Sequence, residues 1–211
     1  MEIISHRGYW KSNVEKNTIT AFERSFSLGF GTETDIRDFD GELVISHDIA
    51  DQNCISFKDF ISLYKNSING SGTLALNVKA DGLQAKAKSI LDSAGVSSYF
   101  FFDMSIPDML GYIDNNLHTF ARYSEYEGFN SLIHRVNGVW LDGFSYDLVD
   151  ENLINFILSL NKKVCIVSPE LHKREHRAMW AKLKSYGVIK TTENIILCTD
   201  LPEEAKEYFY E

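Results

Sequence analysis

Gly138-Val139-Trp140-Leu141-Asp142 is an apolar run closed by a carboxylate. Apolar residues at helical spacing follow around Leu153 to Leu160, and then comes Lys163-Val164-Cys165-Ile166-Val167. This spacing predicts strand, helix, strand, one parallel βαβ unit. Working outward, the alternation repeats in both directions. Upstream, Ile3-Ile4-Ser5 reads as a strand, and Thr18 to Leu28 as a helix with Ile19, Phe22 and Phe26 on one face and Asn17 as its candidate cap. Gly29 and Gly31 punctuate its end before a strand from Thr32 to Ile36, a turn at Asp40-Gly41 and a strand from Leu43 to Ser46. A helix from Phe57 to Tyr64, a strand from Thr73 to Lys79 and a helix from Leu83 to Leu91 come next. Tyr99 to Phe102 is an apolar strand, a helix follows Pro107, and His118 to Tyr123 is a weaker strand. Downstream of Val167 the pattern predicts a helix over Arg174 to Leu183, a strand over Ile195 to Cys198 and a closing helix from Pro202. With close to eight strands, the expected fold is α/β: a small (β/α)8 TIM barrel of parallel strands, one domain over residues 1–211. The rival is an open doubly wound sheet, but no GxGxxG or P-loop supports a nucleotide fold.

Composition narrows the function classes. Hydrophobic residues make up 44% of the 211, enough for a full core. The formal charge of -9 disfavours nucleic acid and anionic membranes as partners, though a local basic pocket can still hold a phosphate. Cys54, Cys165 and Cys198 are odd in number, far apart and without a CxxC pair, so neither zinc nor a disulfide framework is expected. No signal peptide and no bilayer-spanning run is evident, so a cytoplasmic protein without stable membrane insertion is the expectation.

In a parallel barrel, reactive groups gather at the C-terminal ends of strands. The polar residues fall there in order: His6 and Arg7, Glu33 and Asp35, His47, Asn77 and Lys79, Asp103, Arg122, Asp142, Glu170, Asp200. Residues two apart on a strand point the same way, so Glu33 and Asp35 project together, as do Asn77 and Lys79. Charged pairs aimed into a barrel mouth require a partner, which a metal ion or a bound anion supplies. Each residue also has a plain structural reading: His6 as a packed core histidine, His47-Asp48 as a turn and cap, Trp140 as core. His172 and His176 are spaced for one helix face, but Lys173, Arg174 and Arg177 around them favour a solvated surface over a metal site.

The set His6-Arg7-Gly8, Asn17-Thr18, Ala21-Phe22, Gly31, Glu33-Thr34-Asp35, Asp40-Gly41, Leu43-Val44 and His47-Asp48 resembles the glycerophosphodiester phosphodiesterase family. That family is related to phosphatidylinositol phospholipase C. The likeness is dense over residues 3–48, continues through Asn77-Val78-Lys79 and ends at Thr199-Asp200-Leu201-Pro202. It implies a (β/α)8 barrel and one divalent cation, Mg2+ or Ca2+, held by Glu33, Asp35 and the position of Asn77. It implies that Arg7 and Lys79 hold phosphate oxygens; with Asn17 and Trp140 they form the expected substrate-binding set. It also implies that His6 and His47 act as base and acid on the diester.

Three departures stand out. The family's Pro-Glu-Asn-Thr reads Glu15-Lys16-Asn17-Thr18 here, which places Lys16 at the glutamate position. Asn77 occupies the position of a third metal carboxylate, which predicts weaker metal binding. The segment between His47 and Asn77 is short, which predicts an open mouth and a larger or polymer-linked phosphodiester. The expected activity is cleavage of a glycerophosphodiester-type substrate to an alcohol and glycerol phosphate, in lipid or glycerol metabolism. The alternatives are a catalytically impaired phosphodiester-binding barrel and a lyase that stops at a cyclic phosphate.

Overall fold

The computed structural model describes residues 1–67 and 72–211. These fall into two compact units, one of residues 5–119 and one of residues 1–4 with 120–211. Strand β1 (Glu2–His6) runs through the boundary.

In the unit of residues 5–119, helix α1 (Ile19–Ser27) precedes strand β2 (Gly31–Phe39). The cap of α1 is Thr18, whose hydroxyl accepts from the Ala21 N–H, and not the expected Asn17, whose φ of 59° lies in the left-handed region. Strand β2 is longer than predicted because its two halves have different partners. Thr32 to Ile36 pair in parallel with Leu74 to Val78 of β5 (Leu74–Val78), while Ile36 to Phe39 pair antiparallel with β3 (Glu42–Ile45). Asp40 and Gly41 join β2 to β3 with φ of 47° and 77°, the backbone signature of a two-residue hairpin that follows the strand twist. A short β4 (Ile55–Ser56) then leads into α2 (Phe57–Asn66). Beyond β5 come α3 (Gln84–Ala94), β6 (Tyr99–Phe102) and α4 (Ile106–Asp114), and β6 pairs in parallel with β5.

The core of this unit is aromatic. Phe22 and Phe26, four apart on α1, face Phe60 and Tyr64 of α2, with the Phe22 and Phe60 rings 4.7 Å apart. All but Tyr64 are fully buried, and each such phenylalanine contributes about 2 kcal/mol of burial. That packing fixes α1, and with it the turn between β1 and α1. Gly8 in that turn has φ 79°, and a Cβ there would lie 2.7 Å from the Ala21 Cβ.

In the other unit, β7 (Phe120–Tyr123), β8 (Gly138–Leu141), β9 (Lys163–Val167) and β10 (Ile195–Thr199) pair in parallel in that order. Helix α5 (Glu151–Ser159) links β8 to β9, α6 (Arg177–Ser185) links β9 to β10, and α7 (Pro202–Tyr210) closes the chain. Only a 3-10 turn, Ser131–His134, lies between β7 and β8, which helps a short chain hold the full strand set. The predicted helix from Arg174 begins at Arg177 instead, after a 3-10 turn at Pro169–His172. Counting β1, β2 and β5 to β10, the chain has the eight strands of a (β/α)8 fold, with β3 and β4 as an added hairpin. Cys165 and Cys198 are buried within β9 and β10.

Candidate active site

Most residues singled out in the sequence converge within the unit of residues 5–119. His6 ends β1, and Arg7 follows it with φ 59°. A non-glycine residue held there costs about 1 kcal/mol or more and persists only where its surroundings enforce it. Here the Arg7 N–H donates to the Glu33 carbonyl at 3.0 Å, and the Arg7 carbonyl accepts from the Asn17 N–H at 2.9 Å. The guanidinium is thereby delivered to β2, where Nε lies 3.0 Å from Asp35 Oδ2.

Asp35 is completely buried and Glu33 is 2% exposed. Three groups face Asp35: Asn17 Nδ2, which donates to Oδ2 at 2.9 Å, and two cations at ion-pair distance, Arg7 and Lys79, the latter with Nζ 3.4 Å from Oδ1. The other amide atom of Asn17, Oδ1, accepts from the Thr34 hydroxyl at 2.9 Å. Asn17 therefore spends its side chain on holding β2. Glu33 has weaker support: His6 Nε2 lies 3.9 Å from its Oε2, and the Arg7 N–H reaches that oxygen at 3.3 Å. Burial, and then repulsion from Asp35, push the Glu33 carboxyl up to about 7.

Asn77 pairs directly with Asp35 across the β2–β5 ladder and is 8% exposed. Lys79 follows β5 and also lies 3.8 Å from Asp103 Oδ2. Asp103 has φ 71° and follows β6, one residue beyond Phe102, the partner of Asn77. Its place at a strand end was visible in the sequence; its contact with Lys79 was not.

Three buried polar atoms here have no hydrogen-bond partner among the described residues: Arg7 Nε, Asp35 Oδ1 and Asn77 Oδ1. Arg7 Nε and Asp35 Oδ1 each lie within ion-pair distance of an opposite charge but outside hydrogen-bond geometry. Buried polar atoms are nearly always satisfied, so the cluster is a candidate place for a ligand. Two oxygens there lack a donor and one N–H lacks an acceptor.

His47 lies beyond β3 and is 44% exposed. Its Nδ1 lies 2.8 Å from Asp48 Oδ1, and this bond holds the Asp48 carboxyl below the usual range. An ionised Asp48 can only accept, so Nδ1 donates and Nε2 is left for proton transfer. His47 and Arg7 line the same open cleft, of about 640 Å3, with Lys16 and Asn17.

The remaining candidates belong to the other unit. Trp140 is buried and donates its indole N–H to Asp142 Oδ2 at 3.3 Å. The other oxygen of Asp142 holds His172 Nε2 at 2.7 Å. The expectation of solvated histidines is corrected here: His172 pairs with Asp142 and His176 with Glu204, both half-buried, and they do not share a helix face. Their long-range partners were invisible to local spacing. Glu170, expected at the rim, accepts from the Ser168 and Thr199 hydroxyls and the Asp200 N–H, which ties the ends of β9 and β10 together. Arg122 pairs with Glu127.

No known protein-family profile matches the chain, and no curated protein matches it in sequence. Solved structures do match it in fold. A glycerophosphodiester phosphodiesterase from Parabacteroides distasonis superposes with a TM-score of 0.72 at 16% identity, over 99% of this chain and 96% of that one. A phosphodiesterase from Oleispira antarctica, in complex with the product sn-glycerol-3-phosphate, gives 0.72 at 14% identity, over 100% and 97%. Tryptophan synthase from M. tuberculosis gives 0.58 at 11% identity, over 99% and 88%. The fold is thus the (β/α)8 fold named from the sequence, and its resemblance to glycerophosphodiester phosphodiesterases recurs in three dimensions. The same fold carries other chemistry in tryptophan synthase, so the functional argument rests on the site.

Proposed function

We propose that this chain is a metal-dependent phosphodiesterase acting on a glycerophosphodiester-type substrate. The observation that carries the reading is the trio of unsatisfied buried atoms, Arg7 Nε, Asp35 Oδ1 and Asn77 Oδ1, in one site. A phosphate oxygen suits the first, and a hard cation suits the two oxygens.

The donor set fits a divalent cation. Glu33, Asp35 and Asn77 supply oxygens only, the preference of Mg2+ and Ca2+. Glu33, desolvated and crowded by Asp35, is stabilised in its ionised form by an added positive charge. The set has two carboxylates, and no group of three His, Cys, Asp or Glu able to hold a metal occurs among the described residues. When bound, the cation would neutralise charge on the phosphoryl oxygens.

The chain's own residues do the rest. Arg7 and Lys79 bring two cations to the carboxylate pair and steady the phosphoryl group as charge grows on it. His6, beside Glu33, takes the proton from the attacking hydroxyl or water. His47, oriented by Asp48 through Nδ1, gives its Nε2 proton to the departing alkoxide. Asn17 is a positioning residue that fixes the rotamer of Asp35. Trp140 enters no step.

A second reading has its own support. Asp35 already receives Arg7, Lys79 and Asn17, so the basic groups neutralise it without a metal. A barrel that binds phosphodiesters without turning them over fits that fact. Phosphorus NMR separates the readings. The protein would be incubated with glycerophosphocholine, glycerophosphoethanolamine, glycerophosphoinositol and glycerophosphoglycerol, each with Mg2+, Ca2+ or chelator. A monoester signal abolished by chelator supports the hydrolase, and a lasting cyclic phosphate supports a lyase. Unchanged diesters that still bind support the non-catalytic barrel. No helix among the described residues is long and apolar enough to cross a membrane; a cytoplasmic role on a small or polymer-linked diester is part of the proposal.

A further inference from the structure

The cleft beside Arg7 and His47 is larger than a phosphate group requires; about 640 Å3 is typical of sites for whole small molecules. One wall comes from the segment before α1, the other from the segment after β3. Lys16 stands on the first wall. Its Nζ lies 4.4 Å from the centre of the Trp10 ring, which holds the ammonium by a cation–π contact. Among the described residues no carboxylate lies within ion-pair distance of Lys16. The neighbouring Glu15 is committed to Arg24 and to the Lys11 N–H.

The opposite wall carries two carboxylates, and both are engaged locally. Asp48 holds the His47 ring, and Asp51 Oδ1 accepts from the Asn53 N–H at 2.8 Å. Lys16 thus brings to the cleft an ammonium without a carboxylate partner among the described residues, on the wall beside Arg7, while Asp48 and Asp51 keep their charge on the opposite wall.

We propose that Lys16 is a specificity-determining residue. It selects phosphodiesters whose alcohol side carries a second anionic group, either a phosphomonoester or the next diester of a polymer. The inference rests on the phosphodiesterase reading, with the scissile phosphate at Arg7 and the alcohol lying along the cleft.

The test compares wild type with Lys16→Glu and Lys16→Gln, each checked for folding by circular dichroism. The substrates are glycerophosphoglycerol, its terminal phosphomonoester, a short glycerol phosphate oligomer and glycerophosphoethanolamine. Wild type should favour the anionic alcohols over glycerophosphoglycerol by about fivefold, through KM, and raised salt should erode that preference. Lys16→Gln should abolish the preference and Lys16→Glu should invert it. A preference seen with only one anionic substrate assigns the source as monoester or polymer. Equal ratios in all three proteins overturn the proposal. So does a wild-type preference for glycerophosphoethanolamine, which would assign the cleft to Asp48 and Asp51.

If no diester is turned over, the phosphodiesterase reading fails on its own. Calorimetric binding of the same compounds then judges Lys16. Weaker binding of the anionic compounds by Lys16→Glu supports the proposal, and unchanged binding refutes it.

Discussion

Asn17 Nδ2 donates to Asp35 Oδ2 at 2.9 Å while Asn17 Oδ1 accepts from the Thr34 hydroxyl, so one amide grips two successive residues of β2. The grip requires the left-handed backbone of Asn17, which the Arg7 carbonyl enforces through the Asn17 N–H. Sequence, backbone and carboxylate rotamer are thus one linked arrangement.

Replacing Asn17 separates the two contributions. Asn17→Gly keeps the backbone conformation and loses the grip, and should cost about 1–3 kcal/mol because a buried carboxylate loses a donor. Asn17→Ala adds the penalty of a left-handed alanine, about 1 kcal/mol more. Urea unfolding measures both. A glycine variant as stable as wild type would show that the bridge contributes nothing.

Glu33 predicts a pH dependence. Its carboxyl sits near 7 in the folded chain against 4.5 in the unfolded one. Between those values the folded chain keeps a proton that the unfolded chain has released. The stability from Glu33 is therefore complete below pH 4.5 and is lost as pH rises through 7. Glu33→Gln should flatten that decline. Parallel urea midpoints for the two proteins between pH 4.5 and 7.5 would contradict it.

His6→Ala and His47→Ala should each lower kcat by about 10²–10⁴-fold while the fold survives. Asp48→Asn should lower it less, since it removes only the orientation of His47. Single-turnover rates on the diester found by NMR decide this. Wild-type rates in both alanine variants would remove the acid–base assignment.

Asn77→Asp places a carboxylate where an amide oxygen has no partner. Affinity for Ca2+ or Mg2+ should rise about tenfold with the added ligand charge. Calorimetric titration reads it directly, and unchanged affinity would take Asn77 out of the ligand set.

Gly8→Ala forces a Cβ to within 2.7 Å of Ala21 at a φ of 79°. The expected loss is about 2–4 kcal/mol, from overpacking and backbone strain together. A thermal midpoint within a degree of wild type would refute it.

Much of this was legible in the sequence because its physical basis is local. Period-2 and period-3.6 patterns marked the strands and helices, and Asp40-Gly41 marked its hairpin, since backbone preference and burial act within a few residues. The spacing of Glu33 and Asp35 put both on one strand face for the same reason. Other features depend on residues distant along the chain. Asn17 looked like a helix cap, but its partners Thr34 and Asp35 arrive only when β2 packs beside the turn. Lys16 read as a lost glutamate, and only the folded cleft shows an ammonium held on Trp10 with no carboxylate beside it among the described residues. His172 and His176 read as solvated, and their carboxylate partners come from the residue after β8 and from α7. The sequence by itself determined the elements and the kinds of chemical group available. Tertiary packing alone decided which donors meet which buried oxygens, and which of those oxygens are left without one.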